Sequence, residues 1–182
     1  MIHFFDSATL PVSRWRNGGG ETREIVSFPP DSSEFSWRIS IATIAADGAF
    51  SRFPGIDRVI MLLEGEGVEL KAGNRYTQLL RPRQPFAFAG EDEIEARLTG
   101  GVSTDFNVMT RRETHCAEVR VIADACSPAP QNAGVVYVLA GEWLTETQSL
   151  TRGQGVWWQA GAPSFAPISS GALLLLAEIA GR

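Results

Sequence analysis

Along this chain apolar residues recur at alternate positions or in short runs, and few windows show them at helical spacing. Thr22 to Phe28 reads as a strand closed by Pro29-Pro30-Asp31-Ser32-Ser33, and Phe35 to Ala45 as a second, closed by Asp47-Gly48. Phe50 to Phe53 is a short extended piece before the turn Pro54-Gly55. Arg58 to Glu64 is mostly apolar and turns at Gly65-Glu66-Gly67; Val68 to Lys71 then returns to the Gly73-Asn74 turn. Tyr76 to Leu80, Pro85 to Ala89, Ile94 to Thr99 and Thr104 to Thr110 complete a first set of predicted strands. Val119 to Ile122 and the loop Ser127 to Ala133 precede a second set: Val135 to Leu139, Trp143 to Glu146, Val156 to Gln159, Ser164 to Pro167 and Ala172 to Ile179. The pattern predicts an all-β chain with little helix, arranged as sandwiches or barrels.

The two sets echo one another. Val59-Ile60-Met61-Leu62-Leu63-Glu64-Gly65-Glu66 resembles Val135-Val136-Tyr137-Val138-Leu139-Ala140-Gly141-Glu142, an apolar strand running into a Gly-Glu turn. Phe86-Ala87-Phe88-Ala89-Gly90 resembles Trp157-Trp158-Gln159-Ala160-Gly161. Two related jelly-roll-like halves are expected, 1–112 and a shorter 113–182, packed as one body.

Composition narrows the partners. A chain of 182 residues, 44% hydrophobic and 20% charged, can bury a sizeable core. Its net charge of −5 and the lack of a basic stripe exclude nucleic acid as the expected partner. Met1 to Asp6 lacks the cationic and apolar regions of a signal peptide, and the late apolar run Ala172 to Ala177 stops at Glu178, so a cytoplasmic protein with no membrane partner is expected. Cys116 and Cys126 form no metal-ligand array and are read as reduced thiols.

The least core-like stretch is Trp15-Arg16-Asn17-Gly18-Gly19-Gly20-Glu21-Thr22-Arg23-Glu24. Three adjacent glycines point to positive φ or close backbone approach. Asn17 and the glycine amides could form a concave donor surface for an anion, with Trp15 as a wall; alternatively Trp15 anchors the strand entry and the glycines make an ordinary turn. Strand parity adds three polar pairs, Thr22 with Glu24, Arg38 with Ser40, and Asp105 with Asn107, each sharing one face of its strand. They line a barrel mouth in one reading and form the wet outer face of a sandwich in the other.

Four stretches taken in order, Trp15 to Glu24, Trp37 to Ala42, Phe50 to Arg58 and Asp105 to Met109, resemble the HutD/Ves family of bacterial bicupins over most of residues 10 to 112. The resemblance implies a bicupin fold and a cytoplasmic protein associated with histidine utilisation, and it favours the pocket-lining reading of the polar pairs. A metal-binding cupin would present histidines and a carboxylate, yet the chain has only His3 and His115. Ser51, Phe53 and Asp57 stand where the first ligands would fall, and Glu91 and Asp92 near the later one, so neither metal nor cofactor is expected. Glu91, Asp92, Glu93 and Glu95 read as a solvated loop.

The candidate ligand-binding residues are therefore Trp15, Asn17, Thr22, Glu24, Arg38, Ser40, Arg58, Asp105 and Asn107. Arg58 alternatively forms a surface ion pair, and Phe53-Pro54-Gly55 is read as a turn. The expected function is binding of a small carboxylated metabolite, such as formylglutamate or urocanate, in a regulatory or accessory role. One alternative is a cofactor-independent isomerase or hydrolase with Glu24 or Asp105 as general base and Arg38 as stabiliser. Another is a structural role with homodimerisation through an aromatic such as Trp143 or Trp157. A pocket carboxylate of raised pKa favours the enzyme; acids paired to Arg38 or Arg58 favour binding.

Overall fold

A computed structural model describes residues 1–182. The chain is built of strands joined by turns, with one 3-10 turn at Ser7–Thr9, and no helix is long and apolar enough to cross a membrane. The strands are β1 (Ile2–Asp6), β2 (Val12–Arg14), β3 (Gly20–Phe28), β4 (Trp37–Ile44), β5 (Gly48–Ala49), β6 (Ile56–Glu64), β7 (Val68–Ala72), β8 (Tyr76–Leu80), β9 (Phe86–Ala89), β10 (Glu95–Leu98) and β11 (Ser103–Arg111). They continue with β12 (His115–Ile122), β13 (Ala133–Ala140), β14 (Glu142–Leu144), β15 (Ser149–Thr151), β16 (Gln154–Trp158), β17 (Ala166–Pro167) and β18 (Leu173–Gly181). Phe50 to Phe53, expected to be extended, lies outside the strands, and β1, β2, β5 and β15 are strands that the alternation does not flag.

Contacts divide the chain into two units, Pro11–Thr114, and Met1–Leu10 together with His115–Arg182. The first residues thus belong with the second half, because β1 pairs antiparallel with β16, setting Phe4 opposite Val156.

In the Pro11–Thr114 unit a sheet ordered β2-β3-β4-β11-β6-β9 faces a smaller one ordered β5-β10-β7-β8. Ile44, Ile60, Leu62 and Phe88 from the larger sheet pack on Val68, Leu70, Ala72, Leu80 and Ala96 from the smaller, each fully buried aliphatic contributing about 1.5–3 kcal/mol. β11 lies between β4 and β6, so both its edges are hydrogen-bonded, and Asp105 to Thr110 are all buried. The turn after β6 requires Gly65: its φ is +114° and a Cβ there would lie 2.2 Å from Ser103 Oγ.

The second unit repeats this plan. Its larger sheet runs β1-β16-β13-β18-β12 and its smaller β15-β14-β17, so β12-β18-β13-β16 follows the order of β4-β11-β6-β9. With Val59 matched to Val135, Asp105 and Asn107, paired to Leu62 and Ile60, correspond to Leu174 and Leu176, paired to Val138 and Val136. Arg58, paired to Phe88, corresponds to Gly134, paired to Trp158. The second sequence echo is offset by one, since pairing matches Phe88 rather than Ala87 to Trp158. The interiors differ in kind. Where the first unit carries Asp, Asn and Arg, the second is packed dry by Trp143, Trp158, Phe165, Leu174 and Leu176. A Cβ on Gly134 would lie 2.6 Å from the Trp158 ring, so the missing side chain is the space that the indole fills. Trp143 is fully buried and offers no dimer face, and Trp157 stacks on His3 with centroids 3.9 Å apart. Both cysteines are free thiols.

Candidate functional site

Three rows of paired residues cross one face of the larger sheet of the Pro11–Thr114 unit. Thr22, Ala42, Asp105 and Leu62 form the first, and Glu24, Ser40, Asn107 and Ile60 the second. Arg38, Met109, Arg58 and Phe88 form the third. Leu62, Ile60 and Phe88 belong to the core shared with the smaller sheet, so this is the inner face and the polar pairs are not a wet outer surface. Two register shifts flank it, between Glu24 and Val26 in β3 and beside Asp105 where β11 meets β6. Bulges of this kind re-aim side chains.

The face opens into a cavity of about 520 Å3, within the range of about 300–1,000 Å3 common for small-molecule sites. Thr22, Arg38, Ser40, Arg58, Asp105 and Asn107 line it from the strands, and Trp15 and Asn17 from the β2–β3 loop. Of the predicted set, Glu24 alone is not in the lining. Its side chain is 49% exposed and accepts from Arg38 Nε at 2.8 Å. Glu24 is therefore Arg38's counter-ion and not a base offered to the cavity.

Arg58 takes the inward of its two expected roles and not the surface ion pair. It is only 8% exposed, and its guanidinium lies 4.9 Å from the ring centroid of Phe88 and 5.5 Å from those of Phe50 and Phe53. Three aromatic faces supply cation–π attraction in place of water. One terminal nitrogen donates to Asn107 Oδ1 at 2.8 Å, no carboxylate pairs with it, and Nε has no partner. Burial pulls its pKa down to about 10, against the pull of nearby Asp105 and with a further push from Arg38.

Asp105 is 1% exposed. Asn107 Nδ2 donates to its Oδ1, while Oδ2 is buried without a partner. Asn107 thus spends its amide as a spacer, accepting from the cation and donating to the acid. Burial pushes the Asp105 carboxyl up to about 7, only partly opposed by Arg58 and by the Asn107 hydrogen bond.

The glycine loop is an internal scaffold. Gly18 N donates to Trp15 O at 3.0 Å and Gly19 N to Asn17 Oδ1 at 2.8 Å, so these amides are not a donor surface for an anion. Gly18 takes φ +73°, and a Cβ on Gly20 would lie 2.2 Å from Thr43 O and 2.9 Å from the Trp15 ring. The close approach is that of the indole itself, whose Nε1 donates to Thr22 Oγ1 at 2.8 Å. Gly20→Ala is accordingly expected to cost about 1–3 kcal/mol through overpacking, read as a lowered urea midpoint; an unchanged midpoint means that the loop yields.

Residues outside the candidate set complete the cavity. Phe50 and Phe53 cage Arg58, and Arg14 and Arg16 from β2 and its loop add exposed cations without ion pairs. Phe50 and Phe53 stand in the extended piece that opens one of the family stretches, the available signal for the first; Arg16 lies in the glycine-rich stretch, and β2, three residues long, gave no signal for Arg14. Elsewhere the acidic loop is less solvated than expected. Asp92 is buried, accepting from Tyr76 Oη at 2.8 Å and pairing with Arg75, and Glu91 accepts from Gly55 N at 2.8 Å and pairs with Arg112.

The lining holds four arginines, Arg14, Arg16, Arg38 and Arg58, against one carboxylate, Asp105, on a chain of net charge −5. Local charge of one sign in a low-dielectric cleft concentrates ligands of the other. No histidine or cysteine lines the cavity, and nowhere do three or more His, Cys, Asp or Glu side chains converge as metal ligands. This donor set does not fit the transition metal of metal-dependent cupins.

The HutD family model matches residues 7–175. The chain belongs to the HutD family. Among curated relatives, Protein Ves of Cronobacter sakazakii is 44% identical over 179 residues, 98% of both chains. Protein Ves of Citrobacter koseri is also 44% identical, over 98% of this chain and 94% of its own. Among solved structures, HutD from Pseudomonas fluorescens SBW25 superposes with TM-score 0.88 at 27% identity over the whole of both chains. Ylba of Escherichia coli, TM-score 0.78 at 9% identity, covers 100% of this chain and 91% of its own, and extends the likeness to fold alone. In this HutD-family chain the motif residues Trp15, Arg38, Arg58, Asp105 and Asn107 converge on one cavity although they come from four separate stretches of sequence.

Proposed function

We propose that this HutD-family protein binds a small carboxylated metabolite in the cavity of its Pro11–Thr114 unit, in a regulatory or accessory role, without metal or cofactor. The observation that carries this reading is Arg58, a buried guanidinium with an aromatic cage, an unpartnered Nε and no counter-ion. A buried cation without an anion is costly, and a ligand carboxylate supplies the missing charge and acceptor together. The family name associates such proteins with histidine utilisation, so formylglutamate and urocanate join formate, succinate and glutarate as test compounds.

The test is thermal shift of wild type and Arg58→Met against that panel. At about a hundred times its Kd, a ligand adds about 2.7 kcal/mol, a rise of several degrees for a chain of this size. Wild type is expected to be stabilised by at least one carboxylate and Arg58→Met by none. No shift in wild type, or an equal shift in the variant, removes Arg58 from the site.

Asp105 supports a second reading, a cofactor-independent isomerase or hydrolase, since a carboxyl near neutrality in a cavity can act as general base. Consumption of a stabilising compound by wild type and not by Asp105→Asn distinguishes it from binding alone.

A further inference from the structure

Two buried polar atoms on the cavity lining lack partners, Nε of Arg58 and Oδ2 of Asp105. The first can only donate. The second accepts when Asp105 is ionised and donates when it is protonated. An entering group must satisfy both. With Asp105 ionised, the fitting ligand carries a donor beside an acceptor, as a neutral amide does. With Asp105 protonated, the fitting ligand is all acceptor, as a carboxylate is.

The surroundings decide between these. Arg58 on β6 is the cation that acts on Asp105, and Arg38 on β4 lines the same cavity; Glu24 on β3 is turned to Arg38, no second acid lines the cavity, and Ala42 and Leu62 flank Asp105 in the sheet. Asn107 holds Arg58 off from Asp105, so the carboxylate has one neutral hydrogen bond and no ion pair. An anion arriving beside Arg58 would repel an ionised Asp105 at short range in a desolvated site, whereas a protonated one gives it a short, charge-assisted O–H···O⁻ bond.

Resting on the carboxylate-binding reading above, we propose that Asp105 is protonated in the liganded protein and donates its Oδ2–H to the carboxylate held by Arg58, so that each bound anion brings one proton from solvent with it. Asp105 is then the residue that sets specificity for an anion over a neutral amide. Binding weakens as the pH rises through the free carboxyl, which burial places within reach of neutrality.

The experiment is isothermal titration with succinate, glutarate and N-formylglutamate, all ionised above about pH 6.5, in two buffers of different ionisation enthalpy at about pH 8. Wild type is expected to take up close to one proton per ligand, and its affinity to fall about tenfold per pH unit above the Asp105 pKa. Asp105→Asn keeps a donor near Oδ2 and is expected to bind with no proton uptake and a flat pH profile, more tightly than wild type at about pH 9. Binding to wild type without proton uptake overturns the proposal and leaves the carboxylate reading standing. Loss of binding in a folded Asp105→Asn, with uptake absent in wild type, favours an ionised Asp105 accepting from a ligand donor. No heat from any of the three compounds with wild type overturns both readings. The wild-type measurement alone decides the matter if the variant fails to fold.

Discussion

Asp105→Asn is expected to be more stable than wild type at neutral and alkaline pH, by an amount that opens between about pH 4 and pH 7 and then stays constant. The sign follows from proton binding. The unfolded chain releases the Asp105 proton near the ordinary value of 3.8, whereas the buried carboxyl holds it up to about 7. Between these values the native state binds more protons than the unfolded one, so stability falls as pH rises. About three pKa units correspond to roughly 4 kcal/mol at the upper end, or on the order of 10 °C for a chain of this length. Asn keeps the acceptor that Asn107 addresses and carries no charge to desolvate. Thermal melts of both proteins across this range test it; the difference between the two curves cancels every other titrating group. A gap that does not change with pH would mean that Asp105 ionises in the native state as it does in the unfolded chain.

Trp158→Ala is expected to lower stability by about 3–5 kcal/mol, the usual cost of truncating a fully buried Trp. Trp158 is inaccessible to solvent, its ring centroid lies 5.9 Å from that of Phe165, and its Nε1 donates to Asn132 O at 3.1 Å. Gly134 has no side chain to collapse into the void, because the backbone opposite the indole is what left room for it. Urea denaturation followed by tryptophan fluorescence and by circular dichroism measures the loss. A cost below about 1 kcal/mol would show that the second unit repacks, contrary to the close packing described.

The strands were legible because alternation and turn residues are local signals. β8 coincides with its expected span, and β3, β4, β6 and β11 differ by one or two residues at an end. Which residues share a face was legible too, since Thr22, Arg38, Ser40, Asp105 and Asn107 follow from a period of two. Which face is the inner one was not, because alternation is blind to what covers a sheet; here the resemblance to a family supplied the direction. For Arg58 the sequence leaves a pocket cation and a surface ion pair both open, because its cage comes from Phe50, Phe53 and Phe88, all of which lie outside its own strand. Its acceptor, Asn107, is 49 positions away, and only the β6–β11 register makes them neighbours. Glu24 was placed on the right face yet outside the cavity, because an arginine on the next strand reaches it first.

The shared strand order also gives the two units opposite mutational characters. In the filled unit Gly134 and Trp158 complete each other, so nearly any change there is a folding lesion. In the open unit Arg58 Nε and Asp105 Oδ2 are left incomplete by the fold, so replacements that keep the shape, such as Arg58→Met and Asp105→Asn, are expected to leave the chain folded and to remove what it would hold. In a library of variants, changes at the first pair should be lost in a selection for soluble protein, whereas shape-keeping changes at the second should be lost only in a selection for function.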